Sequence, residues 1–208
     1  MKSRVLAALV GAFLTASAYG GPLPVSRTVD AQTVVYLTQV IQPGAMDMSD
    51  ERFFLLADSE APEINIIIDS PGGDNFIMWA VIEVIDTYKG NGGVVNCYIT
   101  NLAASAAAEI FLGCTNRYAT KNAKFMIHDP AVYDVAFAKI TTAIAKKIYE
   151  DLVKETKRFR DRNYEILGLE NKSAIDQLMD EEMFVTAEQF NEAVKDEVIT
   201  VLDSLVIQ

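Results

Sequence analysis

One serine in this chain stands where a hydroxyl could act as a nucleophile. Ser105 lies in Asn101 to Phe111, NLAASAAAEIF, directly after the apolar run VVNCYI and among side chains small enough to admit a substrate backbone. A serine at a strand-to-helix turn exposes its hydroxyl beside amides that the first helical turn leaves unpaired. The amide of Ala106 is the nearest such donor, and one donor aimed at a developing oxyanion stabilises the transition state by about 3 kcal/mol. A hydroxyl is a weak nucleophile at neutral pH and needs a base within hydrogen-bond reach. The chain offers one histidine, His128, in the segment Met126 to Pro130. The competing structural roles are an N-cap for Ser105 and a strand-end packing position for His128.

The elements that would position these residues follow from apolar patterning. Thr33 to Leu37 and Ile64 to Ile68 read as strands, the second so uniformly apolar that it belongs inside a parallel sheet. Asp69-Ser70-Pro71-Gly72-Gly73-Asp74 follows, then a helix with Ile77, Ala80, Val81, Val84, Ile85 and Tyr88 on one face, ended by Gly90, Gly92 and Gly93, and a strand to Thr100. That is a βαβ unit. Neither the GxGxxG nor the GxxxxGK[ST] phosphate-loop spacing is present in the Gly-Gly turn. Asn116 to Ala119 and Lys124 to Ile127 read as short strands. From Val132 to Leu167 runs a long helical pattern with Ile140, Ile144, Ile148 and Leu152 on one stripe, long enough to pack partly on another subunit. Ser173 to Met179 forms a short helix, Asp180-Glu181-Glu182 an acidic turn, Thr186 to Gln189 a capped helix start, and Glu197 to Leu202 a last strand. Between the first two strands, Ser49-Asp50-Glu51 opens a short helix from Arg52 to Asp58.

At the N-terminus, Lys2 and Arg4 precede an apolar run from Val5 to Leu14, and Ala16-Ser17-Ala18 supplies small residues at a cleavage position. We expect residues 1–20 to be a cleaved signal peptide, 21–32 a linker and 33–208 a single domain, placing the protein in the periplasm or outside the cell. Loss of the signal takes the formal charge from −11 to −13, a surface that repels nucleic acid and anionic membranes. In an oxidising compartment Cys97 and Cys114 either pair or remain two buried thiols. No metal-ligand spacing accompanies them, and neither a metal nor a cofactor is expected.

Ser70-Pro71-Gly72-Gly73, Ala103-Ala104-Ser105, Met126-Ile127-His128-Asp129-Pro130 and Phe184-Val185-Thr186-Ala187 occur in this order, and together they resemble the ClpP family of serine peptidases. The resemblance runs from about Thr33 to Leu202. It implies an α/β fold of the ClpP/crotonase type, repeated ββα units with a long handle helix. By the same resemblance Ser105 is the nucleophile, His128 the general base, and the amides of Gly73 and Ala106 the oxyanion hole. The family's acid lies before the FLSA-like segment. Counting back without a gap reaches Leu178, which cannot orient an imidazole; a deletion in the turn brings Asp180 into place, with Glu181 and Asp176 as alternatives. Asp129, next to the histidine on an extended chain, points to the opposite face.

Clp peptidases form stacked rings fed by an ATP-driven unfoldase. Here the axial segment is shorter, the family's glycine-rich substrate-binding segment is replaced by Ala131-Val132-Tyr133-Asp134, and ATP is absent outside the cytoplasm. The resemblance therefore implies a homo-oligomeric serine endopeptidase acting without an unfoldase on short or unfolded polypeptides, with no nucleic-acid partner and no membrane association after signal cleavage. A different class, a ClpP-like scaffold or ring subunit without a working triad, is the alternative. An acyl-CoA enzyme of the crotonase group shares the core but needs neither Ser105 nor His128, and no basic cluster for a CoA phosphate is visible.

Overall fold

The computed structural model describes residues 25–42, 53–54, 57, 61–132 and 140–208. The expected signal peptide lies outside this range, as do most of the expected helix at 52–58 and the first residues of the expected linker.

The centre of the molecule is β3 (Glu63–Ser70), joined in parallel on one side by β2 (Val34–Leu37) and on the other by β4 (Val94–Ala104). β5 (Asn116–Thr120) and β7 (Thr200–Leu202) extend the sheet in the order β2-β3-β4-β5-β7, every pairing parallel. β6 (Lys124–Met126) pairs separately with the end of β4. A second, two-stranded sheet joins β1 (Ser26–Val29) to β8 (Ser204–Ile207). The residues expected as linker thus carry a strand that closes onto the C-terminal end of the chain, which the few apolar residues of SRTV do not announce.

Both faces of β3 are covered, which explains its uninterrupted isoleucines. Ile64, Ile66 and Ile68 face the main core with Val95, Cys97 and Ile99, whereas Ile67 faces a smaller cluster with Val29, Val34, Tyr98 and Leu202. Asn65 is fully buried on that second side. Its carbonyl oxygen accepts from Asn96 Nδ2 (3.1 Å) and Tyr98 OH (3.0 Å), and Asn116 Nδ2 donates to Asn96 Oδ1 (2.8 Å). The three asparagines are register partners on β3, β4 and β5, so each buried amide finds the partner that burial demands. A strand slip would leave them unpaired.

α1 (Asn75–Gly90) begins at Asp74, whose carboxylate accepts from Ile77 N at 3.0 Å. Its buried face is Met78, Val81, Ile82, Ile85 and Tyr88, turned by about one position from the expected stripe, because Trp79 is drawn toward the long helix. That helix, α3 (Thr142–Leu167), follows the short α2 (Ala106–Leu112) and starts later than Val132. Trp79 stacks edge-on to Phe159 (5.3 Å), donates to Glu155 (3.0 Å) and lies under the Arg158 guanidinium (3.5 Å). Only the C-terminal part of α3 is buried, through Phe159, Asn163, Tyr164 and Leu167; Ile140 and Ile144 of the expected apolar stripe are nearly half exposed. α4 (Lys172–Asp180) and α5 (Ala187–Val194) complete the domain, α5 opening with a capping box between Thr186 and Gln189. Cys97 and Cys114 form a disulfide that ties β4 to the end of α2.

Candidate active site

The end of β4 builds the site. The pairing of β3 with β4 shifts register between Ile68 and Ser70, and beyond that irregularity β4 aligns Ala103 with Phe125 and Ala104 with Met126 of β6. Ser105 N donates to Met126 O at 2.9 Å. Because the two strands run parallel and end together, the residues just past them, Ser105 and His128, emerge at the same edge.

Ser105 has φ 56° and ψ −128°, a region that a residue with a side chain occupies at a cost of roughly 1–3 kcal/mol. It stands at the N-cap of α2, yet its hydroxyl makes no capping bond. The Oγ instead lies 2.7 Å from His128 Nε2. The helix is anchored by the Ser105 carbonyl, which accepts from the amides of Ala108 (2.9 Å) and Glu109 (3.2 Å). The preceding N–H, that of Ala106, belongs to the helical turn that has no intrahelical acceptor.

The Ser-Pro-Gly-Gly turn lies directly against this elbow. A Cβ on Gly72, which has φ 94°, would sit 2.6 Å from Ser105 Cβ and 2.5 Å from Ala104 O, so only glycine lets the two turns approach. Gly73 bridges Ile41: Ile41 N donates to Gly72 O (2.8 Å) and Asp74 N to Ile41 O (2.6 Å). The Gly73 amide itself has no acceptor among the described residues. Both expected oxyanion donors therefore sit on turns in contact and have no acceptor among the described residues. Gly72→Ala is expected to push these turns apart and slow reaction of Ser105 with an electrophile about tenfold, since small displacements of a reacting group are costly; the rate of covalent labelling measures it.

His128 is 8 % exposed. Its Nδ1 is buried with no hydrogen-bond partner, and Glu182 Oε1 stands 3.6 Å away. The structure does not bring Asp180 to the imidazole. Arg160 holds it at 2.5 Å, together with Asp129 (2.6 and 2.9 Å) and Asp176 (2.9 Å). The hydrogen bonds that Arg160 donates to Asp129, opposed by partial burial and reinforced by Asp180, raise its guanidinium above the usual range. Asp176 also meets Tyr164 OH and Lys172; burial works to raise its carboxyl, but these bonds and the charge of Arg160 hold it below the ordinary range. Glu181 accepts from Gln177 at 3.1 Å, and Leu178 is buried in the core. Asp129 turns from the histidine to Arg160, as alternation along an extended chain requires. Val185 of the Phe-Val-Thr-Ala segment bridges Phe125 of β6 (2.8 and 2.9 Å), which brings the acidic turn alongside His128.

The sequence pointed to an acid in this turn but not to Glu182. Nor did it single out Glu109, a carboxylate 1 % exposed on the helix that follows Ser105. Asn163 donates to Glu109 Oε1 at 3.0 Å and Arg162 lies 3.7 Å from Oε2. Burial outweighs both and pushes the carboxyl up to about 7. The one signal available was a charged residue in an otherwise apolar AAAEIFL helix.

The parallel sheet thus carries at one edge a strained serine, a histidine on its hydroxyl and two amides that have no acceptor among the described residues. The sequence model of the Clp protease family matches residues 23–201. The chain belongs to the Clp protease family. Among curated proteins it is similar to ATP-dependent Clp protease proteolytic subunit 1 of Chlamydia caviae, 25 % identical over 168 residues that cover 78 % of this chain and 83 % of the relative. It is also similar to proteolytic subunit 2 of Chlamydia trachomatis serovar D, 31 % identical over 108 residues, 51 % of this chain and 52 % of that protein.

Proposed function

We propose that this chain is a serine endopeptidase of the ClpP-like type, with Ser105 as nucleophile and His128 as general base. The 2.7 Å approach of Ser105 Oγ to His128 Nε2 carries the reading. In the mechanism, Ser105 Oγ bonds to the peptide carbonyl carbon while its proton passes to His128 Nε2, and the carbonyl oxygen becomes an oxyanion against the Gly73 and Ala106 amides. The C–N bond then breaks as Nε2 returns the proton to the leaving amine. Water repeats the sequence on the acyl-enzyme.

The substrates are short or unfolded polypeptides and no unfoldase takes part. The Cys97–Cys114 disulfide supports a periplasmic or secreted location, since such bonds persist in oxidising compartments. The exposed apolar side chains just before and along the first half of α3, Ile140, Ile144 and Val153, support a homo-oligomer in which that helix meets another subunit.

A fluorophosphonate probe and hydrolysis of an unstructured peptide by the assembled protein test the reading. Labelling at Ser105 with turnover is expected. A folded protein that neither labels nor cleaves would instead be a ClpP-like scaffold or ring subunit.

A further inference from the structure

We infer that Glu182, rather than an aspartate, is the carboxylate that positions His128, and that Arg160 enforces the choice by holding the competing acids elsewhere. The inference rests on the serine-peptidase reading for its catalytic meaning, though not for its geometry. For Nε2 to accept the Ser105 proton, the ring N–H must reside on Nδ1. That atom is buried and without a hydrogen-bond partner, a costly state for a polar group unless an acceptor is at hand. Glu182 Oε1, at 3.6 Å, is the carboxylate paired with it.

Other acids of the region are committed. Asp129, Asp176 and Asp180 converge on one guanidinium, Arg160, and Asp176 is further held by Lys172 at 3.3 Å. Glu181 accepts from Gln177. Glu182 makes no other ion pair among the described residues, and its backbone is fixed: φ is 49°, the left-handed cap that ends α4, with Met183 N donating to Leu178 O at 3.3 Å. A non-glycine residue occupies that region at a cost, so a glycine there would relieve it. Here the turn is fixed on one side by Glu182 N donating to Met179 O (3.4 Å) and on the other by the Val185–Phe125 bridge. The Nδ1 to carboxylate distance is long for a hydrogen bond, as catalytic contacts often are before substrate binds.

Half of the Glu182 side chain or more is exposed, so its contribution should be smaller than the ~10⁴-fold of a buried triad acid. Glu182→Ala is expected to lower kcat about 100-fold with KM unchanged, and Asp180→Ala and Glu181→Ala less than threefold each, a positioning effect expressed in the transition state. Glu182→Gly removes the strain as well as the carboxylate; it should be as slow as Glu182→Ala while at least as stable as wild type in thermal unfolding. A second readout is independent of turnover. Because His128 is the chain's one histidine, the ¹⁵N spectrum of the ring reports its tautomer unambiguously. The Nδ1–H form should dominate in wild type and Asp180→Ala at pH 8, and lose that dominance in Glu182→Ala. If Asp180→Ala rather than Glu182→Ala causes the loss in kcat or in the Nδ1–H form, the assignment is overturned. A wild type that cleaves nothing but shows the Glu182-dependent tautomer would sink the peptidase reading and leave the positioning contact standing.

Discussion

Replacing Ser105 with alanine should abolish covalent labelling by a fluorophosphonate and reduce peptide hydrolysis by roughly 10⁵- to 10⁶-fold, the loss typical of removing a serine nucleophile. His128→Ala should cost nearly as much, and the double variant no more than either alone, because the two groups act as one unit. The geometry adds a stability arm. Alanine keeps a Cβ at φ 56°, so Ser105→Ala retains the strained turn, whereas Ser105→Gly relieves it. Thermal unfolding should show Ser105→Gly more stable than Ser105→Ala by about 1 kcal/mol, the lower end of what such a backbone costs. Hydrolysis surviving in Ser105→Ala would show that another group attacks the substrate.

The second large effect is on stability and concerns Glu109. Its carboxyl rises from 4.5 to about 7 because burial disfavours the charged form, with Asn163 and Arg162 opposing. Glu109 Oε2 and Asn163 Oδ1 are both buried without hydrogen-bond partners, atoms that a proton on Glu109 would help to satisfy. A raised carboxyl binds its proton more tightly in the folded state. Its contribution is therefore fully present below about pH 4.5 and is lost as pH rises through about 7. The shift corresponds to about 3 kcal/mol between those limits. Glu109→Gln keeps the shape and an acceptor for Asn163 without the charge. At pH 8 it should unfold at a higher temperature than wild type, and at pH 5 the difference should largely vanish. Equal gains at both pH values would show that Glu109 does not titrate in this range.

Much of the fold was legible because it is written in local chemistry. INIII announced a strand covered on both faces, Asp74 and Thr186 announced helix starts, and the apolar turn-by-turn pattern of α3 announced a helix longer than its domain could bury. What misled was equally local. SRTV looked like linker because a four-residue edge strand gains its stability from β8, at the far end of the chain. The α1 stripe was displaced by one position because Trp79 answers to Glu155 and Phe159, residues of α3.

The site divides along the same line. The motifs singled out Ser105, His128, Gly73 and Ala106 by residue type, a serine before a helix, a lone histidine at a strand end and a glycine in a turn, and the structure gathers them at one edge of the sheet. Spacing pointed to Asp180, which the structure places on Arg160. Its carboxylate and that of Glu182 are two residues apart, chemically alike and equally plausible along the chain. Tertiary structure separates them: Arg160 on α3 captures Asp180, and the bridge of Val185 to β6 sets Glu182 beside His128. The pairing of Cys97 with Cys114 and the raised carboxyl of Glu109 were decided in the same way. Sequence determines which groups are available and which local shape each needs. The partner that each group meets depends on segments distant in the chain, and the electrostatic energy that selects among carboxylates exists only once folding has brought those segments together.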